Sequence, residues 1–598
     1  MPLLVQMLFL AALPVLGIAL VLSSWFEILI WSIWNPISSN PQVKISQGLV
    51  IGTVLYHRFP SPVEAFMGLP YAQAPIGENR FRPAAPLPVS NETFLAQEYG
   101  RICPGKQLLH GVTAPNSEDC MTVNIFRQKK HASEHKKLPV AVYIHGGAFN
   151  RGSSKMHNTA SMVAWSESPF IGVSFNYRIG ALGFLPSKLT FDEEIVNIGL
   201  HDQVFMLQWI QDNIEAFGGD KDDVTIFGLS AGAHSVGPAG FLYHKAAAEV
   251  CLQIGHHILN YEEGVAPLFH KAIIESGAPT SRAVHPYNAP VHEEQFALFI
   301  LEAGCSDVPK DTVMSCLRSK PEKNITNASA VVFEKYNPSL RWAFQPVIDH
   351  SLIHGRPIDI WDSGKWNKIP IMTGHVSNEG SYYVPASSST SENFKNFWRV
   401  LLPHYTPEDL RAIESLYPDP FKDETSIYKE TRNMETIGVG PQFKRVEAAY
   451  AHYAYVCPVR QTADIASTVQ DPPVWLYHWA LNQTVKGGAN HGDNMYYETF
   501  PEDITSISDA QREVSGQYHA YVTSFITQSD PNTIQGRYAE RPSWEKYESN
   551  TARVMTFGKG NDERAGGTGV GTAAQMLGSE WIKKECAFWW KKSHDTEL

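Results

Sequence analysis

An α/β architecture, a large and mostly parallel sheet flanked by helices, is what this sequence predicts, and three observations carry the prediction. Strand-like apolar runs alternate with helical patterns along most of the chain, the rhythm of a sheet whose strands are joined by helical crossovers. Leu138 to Ile144 (LPVAVYI), Ile171 to Phe175 and Val224 to Phe227 are the clearest strands. Between the last two, Val204, Leu207, Ile210 and Ile214 recur at helical spacing, and Gly218-Gly219 leads on to the next strand, so this segment reads as a crossover helix.

The remaining elements follow in order. Further strands are expected at Lys271 to Ile274, Ile369 to Thr373, Val474 to Trp479 and Arg553 to Phe557, with long helix-rich stretches between them. Trp209, on the crossover helix, is assigned to helix packing. The basic cluster Arg127 to Lys137 (RQKKHASEHKK) is read as a solvated hairpin loop. Gly566 to Gly571 is glycine-rich but is not GxGxxG and lacks a phosphate-binding lysine, so it is read as a loop near the C-terminus.

Composition narrows the function classes. The 598 residues are 43% hydrophobic and 18% charged, ample for a core, and a net charge of -12 offers no footprint for a nucleic-acid backbone. Met1 to Trp34 is nearly unbroken apolar sequence with Glu27 its one formal charge. Leu3 to Leu22 matches the roughly 20 residues of a membrane-crossing helix, although no basic residue precedes it as in a typical signal peptide. Residues 1–36 are therefore read as a leader, either a signal peptide or a signal anchor, and both lead into the secretory pathway. The destination expected is extracellular, with membrane anchoring by the leader as the alternative.

Residues 37–598 are read as one catalytic domain. Sequons begin at Asn91, Asn324, Asn327 and Asn482. Of seven cysteines, Cys103 with Cys120 and Cys305 with Cys316 form close pairs. In an oxidising compartment each pair would close a short loop, contributing about 3 kcal/mol on the chain-entropy model; Cys457 and Cys586 are left unassigned.

The chemistry is carried by Asp223-Val224-Thr225-Ile226-Phe227-Gly228-Leu229-Ser230-Ala231-Gly232. A serine hydroxyl needs a base and a geometry that presents its oxygen, and a strand ending in Gly-x-Ser-x-Gly supplies the tight turn called the nucleophile elbow. Upstream, Ile144-His145-Gly146-Gly147-Ala148-Phe149 follows a strand and resembles a loop that offers backbone N–H groups to an oxyanion. Gly147 and Ala148, with Ala231, are the expected donors.

With these motifs the chain resembles the type-B carboxylesterase and lipase family, the cholinesterase-like branch of the α/β-hydrolases. Phe66 to Ala72 with Arg80-Phe81-Arg82-Pro83, Ser117 to Cys120 with Asn124, Asn176-Tyr177-Arg178 with Gly183-Phe184-Leu185, and Asn197 to Gln203 are similar to its signatures and occur in the same order. The resemblance implies an α/β-hydrolase fold and selects two partners for Ser230: Glu379, in Gly374-His375-Val376-Ser377-Asn378-Glu379-Gly380, and His491, in Asn490-His491-Gly492-Asp493. The order Ser, Glu, His is that of α/β-hydrolases. His234 and His375 are not expected to act as the base; Asp202, Glu118 and Arg178 are expected to form buried ion pairs. Neither metal nor other cofactor is expected, since no HExxH or clustered Cys/His pattern occurs.

Two departures stand out. Leu229 occupies the position before the serine where many members of the family have Glu. Pro238 to Gly255, which contains Cys251, interrupts the family pattern beyond Gly237, and is read as foreign to the working enzyme. The function expected is carboxylic-ester hydrolysis through an acyl-enzyme. A lipase or sterol esterase is the nearest alternative, disfavoured by the short Cys103 to Cys120 loop with few bulky apolar residues. A non-catalytic adhesion or binding protein is the alternative from another class. The expected partner is a small-molecule or lipid ester.

Overall fold

A computed structural model describes residues 40–595 apart from 57, 107–114, 133–135, 235–255, 260, 283, 431–432, 483–487, 562–570 and 580–581. The leader and the Pro238 to Gly255 segment, with Cys251, therefore lie outside the described residues, as does nearly all of the Gly566 to Gly571 run.

Fourteen strands form among the described residues: β1 (Gln42–Ile45), β2 (Gly48–Ile51), β3 (Thr53–Leu55), β4 (Val63–Pro70), β5 (Thr93–Leu95), β6 (Thr122–Gln128), β7 (Leu138–Ile144), β8 (Ile171–Phe175), β9 (Gly219–Leu229), β10 (Lys271–Glu275), β11 (Ile371–Val376), β12 (Val474–Trp479), β13 (Arg553–Lys559) and β14 (Thr572–Gly578). β1, β2 and β5 make a small sheet; the other eleven form one sheet in the order β14-β13-β12-β11-β10-β9-β7-β8-β6-β4-β3. The central run from β13 to β8 is parallel throughout. Both edges are antiparallel, so the expectation of a mostly parallel sheet describes the centre, and the whole is mixed.

The apolar run of β7 explains its place at the centre. Successive side chains of a strand point to opposite faces. Val140, Val142 and Ile144 join one core cluster with Val224, Ile226 and Ile274, while Ala141 and Tyr143 join the other with Phe227, Leu229 and Ile273. A strand covered on both faces has no position for a polar residue. The helix Ile198–Asn213 carries the chain from β8 to β9 across β7 and buries Leu207, Ile210 and Trp209.

Other expectations need adjustment. β11 starts at Ile371, not Ile369, because Pro370 has no N–H for the ladder and uses its carbonyl to accept from Ala272 N–H at 3.1 Å. The segment from Arg127 to Lys137 is not a hairpin, since β8 lies between β6 and β7. Its first residue is not solvated either: Arg127 is buried against Glu64 at 2.8 Å and donates to the Phe217 carbonyl at 2.6 Å. The expected ion pairs form, Arg178 to Asp202 at 2.6 Å and Arg80 to Glu118 at 2.5 Å, and both pairs are buried.

Disulfides join Cys103 to Cys120, Cys305 to Cys316 and Cys457 to Cys586. The third links the helix Cys457–Val469 to the C-terminal helix Lys583–Asp595 across 129 residues of sequence. Among the described residues no helix is long and apolar enough to cross a membrane.

Candidate active site

The C-terminal ends of four strands in the parallel centre of the sheet converge on one place, the usual position for a site in such a sheet. Ser230 follows β9, the Gly146-Gly147-Ala148 loop follows β7, Glu379 follows β11 and His491 follows β12. Ser230 sits at φ 58°, in the left-handed region, where a non-glycine residue is strained and persists only if its surroundings enforce it. The surroundings do so. The Ser230 N–H donates to the Glu275 carbonyl at 2.9 Å, and the Ser230 carbonyl accepts from His234 N–H at 2.8 Å.

The glycines of the elbow answer to close approach. A Cβ on Gly232 would lie 2.1 Å from the Ile144 carbonyl oxygen, and one on Gly228 would lie 2.6 Å from the same atom. Across the contact, a Cβ on Gly146 would meet the Leu229 carbonyl oxygen at 2.4 Å. The elbow and the glycine loop thus pack backbone to backbone. Gly147, Ala148 and Phe149 all have positive φ, and this turns the loop toward Ser230. The loop is held from behind, because the Ala148 carbonyl accepts from Asn150 and Gln345 side chains at 2.9 and 3.0 Å. The N–H groups of Gly147 and Ala148 find no acceptor among the described residues. Ala231 opens the short helix after the serine, so its N–H is one of the donors a helix start leaves unpaired.

Glu379 and His491 meet across two loops: His491 Nδ1 lies 2.5 Å from Glu379 Oε2. The other carboxylate oxygen of Glu379 accepts from Val376 N–H at 2.8 Å, and the side chain is fully buried. His491 Nε2 is buried and has no partner. The loops are bound to each other by Asn378 N–H donating to the Ala489 carbonyl at 2.8 Å and by the Ser381 hydroxyl on Asn490 at 2.7 Å. Leu229 is buried, with Cδ2 3.1 Å from where a Gly492 Cβ would stand. Leu229 thus packs the elbow against the histidine loop.

A cavity of about 140 Å³ opens at Ser230, Ala231 and Ala148. Tyr455 is part of its wall and has its ring 4.7 Å from that of His491. His234 also lines it, but its Nδ1 is engaged with the Ala278 carbonyl at 3.0 Å. His375 is buried elsewhere, packed on His478.

Sequence reasoning missed a second acidic cluster behind the elbow. Glu275 closes β10, and its Oε1 accepts from Tyr518 at 2.6 Å, Asn494 at 2.8 Å and Tyr477 at 3.1 Å. Glu498 is buried beside it and lies 3.1 Å from His157 Nε2. Burial, with Glu498 nearby, holds Glu275 well above the carboxylate range, and burial pushes Glu498 up to about 8. The one signal available in the sequence was an acid in an otherwise apolar strand end, Ala272-Ile273-Ile274-Glu275.

The surface sites divide in two. Asn91 and Asn482 are exposed outside helices, whereas Asn324 and Asn327 are exposed on the helix Glu322–Tyr336. In that helix Thr326 donates back to the Glu322 carbonyl, and the Ser329 hydroxyl accepts from Ala181 N–H. Among the described residues no group of three or more His, Cys, Asp or Glu side chains is placed to hold a metal.

Relatives with this architecture are ester hydrolases. The chain is 33% identical to secreted lipase 4 of Gibberella zeae over 93% of both chains. It is 31% identical to the acetylcholinesterase of Electrophorus electricus, over 82% of this chain and 75% of that one. The crystal structure of EstA from Aspergillus niger superposes with a TM-score of 0.76 at 26% identity, covering 94% of this chain and all of EstA. The family model described as the carboxylesterase family matches residues 39–589. The chain therefore belongs to the carboxylesterase family of serine ester hydrolases, on the α/β-hydrolase fold.

Proposed function

We propose that ester hydrolysis runs through an acyl-enzyme on Ser230, with His491 as the base and then the acid, and Glu379 as the carboxylate that orients it. The observation that carries this reading is the 2.5 Å contact of His491 Nδ1 with Glu379 Oε2, which leaves the opposite ring nitrogen unpartnered. Nε2 takes the Ser230 hydroxyl proton as Oγ bonds to the ester carbon and the carbonyl π pair moves to oxygen. The N–H groups of Gly147, Ala148 and Ala231 receive that charge. Each such donor is worth about 100 to 1000-fold in rate. Collapse of the intermediate expels the alcohol, which takes its proton from Nε2; water then repeats the cycle and releases the acid.

A fluorophosphonate probe tests this directly, with a single labelled peptide expected at Ser230. Folded protein that stays unlabelled would point instead to a non-catalytic binding role. Lipid esters are the second substrate reading, favoured by the likeness to a secreted lipase. Hydrolysis of short and long acyl esters below and above their solubility limit separates the two, and a rate that jumps only above the limit would establish the lipase.

The enzyme is proposed to act outside the cell, as one catalytic domain freed of its leader. Three disulfides and the likeness to a secreted relative support this. Residues 238–255 are proposed to be absent from the working protein, and mass spectrometry of the natural protein would overturn this by finding any peptide from within them.

A further inference from the structure

The wall of the Ser230 cavity carries no Asp or Glu among the described residues, yet it includes Arg282 and Arg341. Both guanidiniums stay charged at any relevant pH, and among the described residues neither forms a salt bridge. Arg282 stacks on Trp342 at 3.9 Å and donates one hydrogen bond, to the Leu340 carbonyl at 2.5 Å. The phenols of Tyr383, Tyr450, Tyr453 and Tyr455 lie near enough to act on its charge. Aromatic faces attract a guanidinium, but among the described residues a single one of its N–H donors has an acceptor. Arg282 also holds φ at 68°, and strain of this kind gathers at ligand-binding positions.

Three further groups face the same space. The Ser281 hydroxyl is buried and has no partner. His292 Nε2 is likewise buried without a partner, while its Nδ1 is engaged with Gln295 at 3.4 Å. His285 stands 6.0 Å from His292, ring to ring. Burial pushes His292 down to about 3 and lowers His285, with Arg341 adding to both. The imidazoles are therefore neutral and the positive charge of this wall belongs to the two arginines. The described wall thus carries two guanidiniums and no acidic side chain.

We infer that the preferred substrates are esters bearing a second, free carboxylate, held by Arg282 and the Ser281 hydroxyl while the ester carbonyl faces Ser230. The inference rests on Ser230 being the nucleophile. A carboxylate accepts from the guanidinium and the hydroxyl together, a charge-assisted pairing that supplies both missing partners. A cationic ester meets the opposite field, which separates this cavity from one suited to a quaternary ammonium alcohol.

Matched ester pairs test the inference. Mono-4-nitrophenyl adipate against 4-nitrophenyl hexanoate places the carboxylate on the acyl side; 4-acetoxybenzoate against phenyl acetate places it on the alcohol side. In the native enzyme one pair is expected to show kcat/KM at least about tenfold higher for the anionic member, and the pair that does so identifies the side that Arg282 holds. Arg282→Gln is expected to lower that ratio about tenfold, and Arg282→Lys to restore part of it. Added salt provides a readout that needs no variant, since it should lower kcat/KM for the anionic ester more than for its neutral match. Equal rates within both pairs, or a ratio unmoved by Arg282→Gln and by salt, would overturn the inference. Fluorophosphonate labelling of Ser230 in the same preparations keeps that outcome distinct from failure of the nucleophile assignment.

Discussion

Glu379 and Glu275 stand at the ends of adjacent strands, β11 and β10, both fully buried, and the fold puts them to different uses. Glu379 faces the imidazole of His491 and one backbone N–H. Glu275 faces two phenols, a carboxamide and a second carboxyl group, Glu498. A carboxylate paired with an imidazole can stabilise the charge that the imidazole gains during reaction. A carboxyl beside another carboxyl in a buried site retains a proton instead, and serves as a tie between β10 and the helix Asp493–Glu498 that follows His491. Proximity to Ser230 is therefore a poor guide to role; the partners decide it.

The contrast can be broken in order of effect. Ser230→Ala is expected to remove about 10⁶-fold of kcat, measured on a 4-nitrophenyl ester. Glu379→Gln should cost about 10⁴-fold in kcat, because the amide orients the imidazole in the wrong tautomer. A loss under tenfold would mean that this carboxyl is not the partner His491 uses.

The acidic cluster predicts a pH dependence of stability. Glu498 keeps its proton in the folded state up to about pH 8, while the unfolded chain releases it near the ordinary value of 4.5. The folded state then binds more protons across that interval, so stability is fully present below pH 4.5, falls as pH rises towards 8 and levels off above. The share of Glu498 is about 5 kcal/mol for this 3.5-unit interval (8 minus 4.5). Urea unfolding at stepped pH should show this slope, and Glu498→Gln should lessen it, leaving the part that comes from Glu275.

The smallest effect sharpens the comparison most. Glu275→Gln keeps an acceptor oxygen for Tyr477 and Tyr518, so kcat should change by less than about tenfold. A loss as large as that of Glu379→Gln would place both carboxyls in the catalytic step.

How much of this could be read from residues alone varies with distance along the chain. The elbow was legible because a strand, a glycine, a serine and a glycine are contiguous, and the close contacts at Gly228 and Gly232 are consequences of that short sequence. β7, β8 and β12 were legible to their end residues, since strands at the sheet centre must be apolar on both faces. The antiparallel edge strands β3 and β14 were not identified, because short or half-exposed strands carry a weaker pattern.

Residues near one another in the chain were enough to place the parallel centre of the sheet and the tight turn at Ser230, and a resemblance to known motifs was enough to propose Glu379 and His491 as its partners. Only the tertiary structure decided what lies across gaps of a hundred residues and more. It paired Cys457 with Cys586, set Leu229 against Gly492, gathered Glu275 and Glu498 behind the elbow, and brought Arg282 to the cavity wall with no salt bridge among the described residues. Those outcomes depend on how strands and helices pack in space, and the desolvation that fixes the charge of a buried group exists only once that packing has formed.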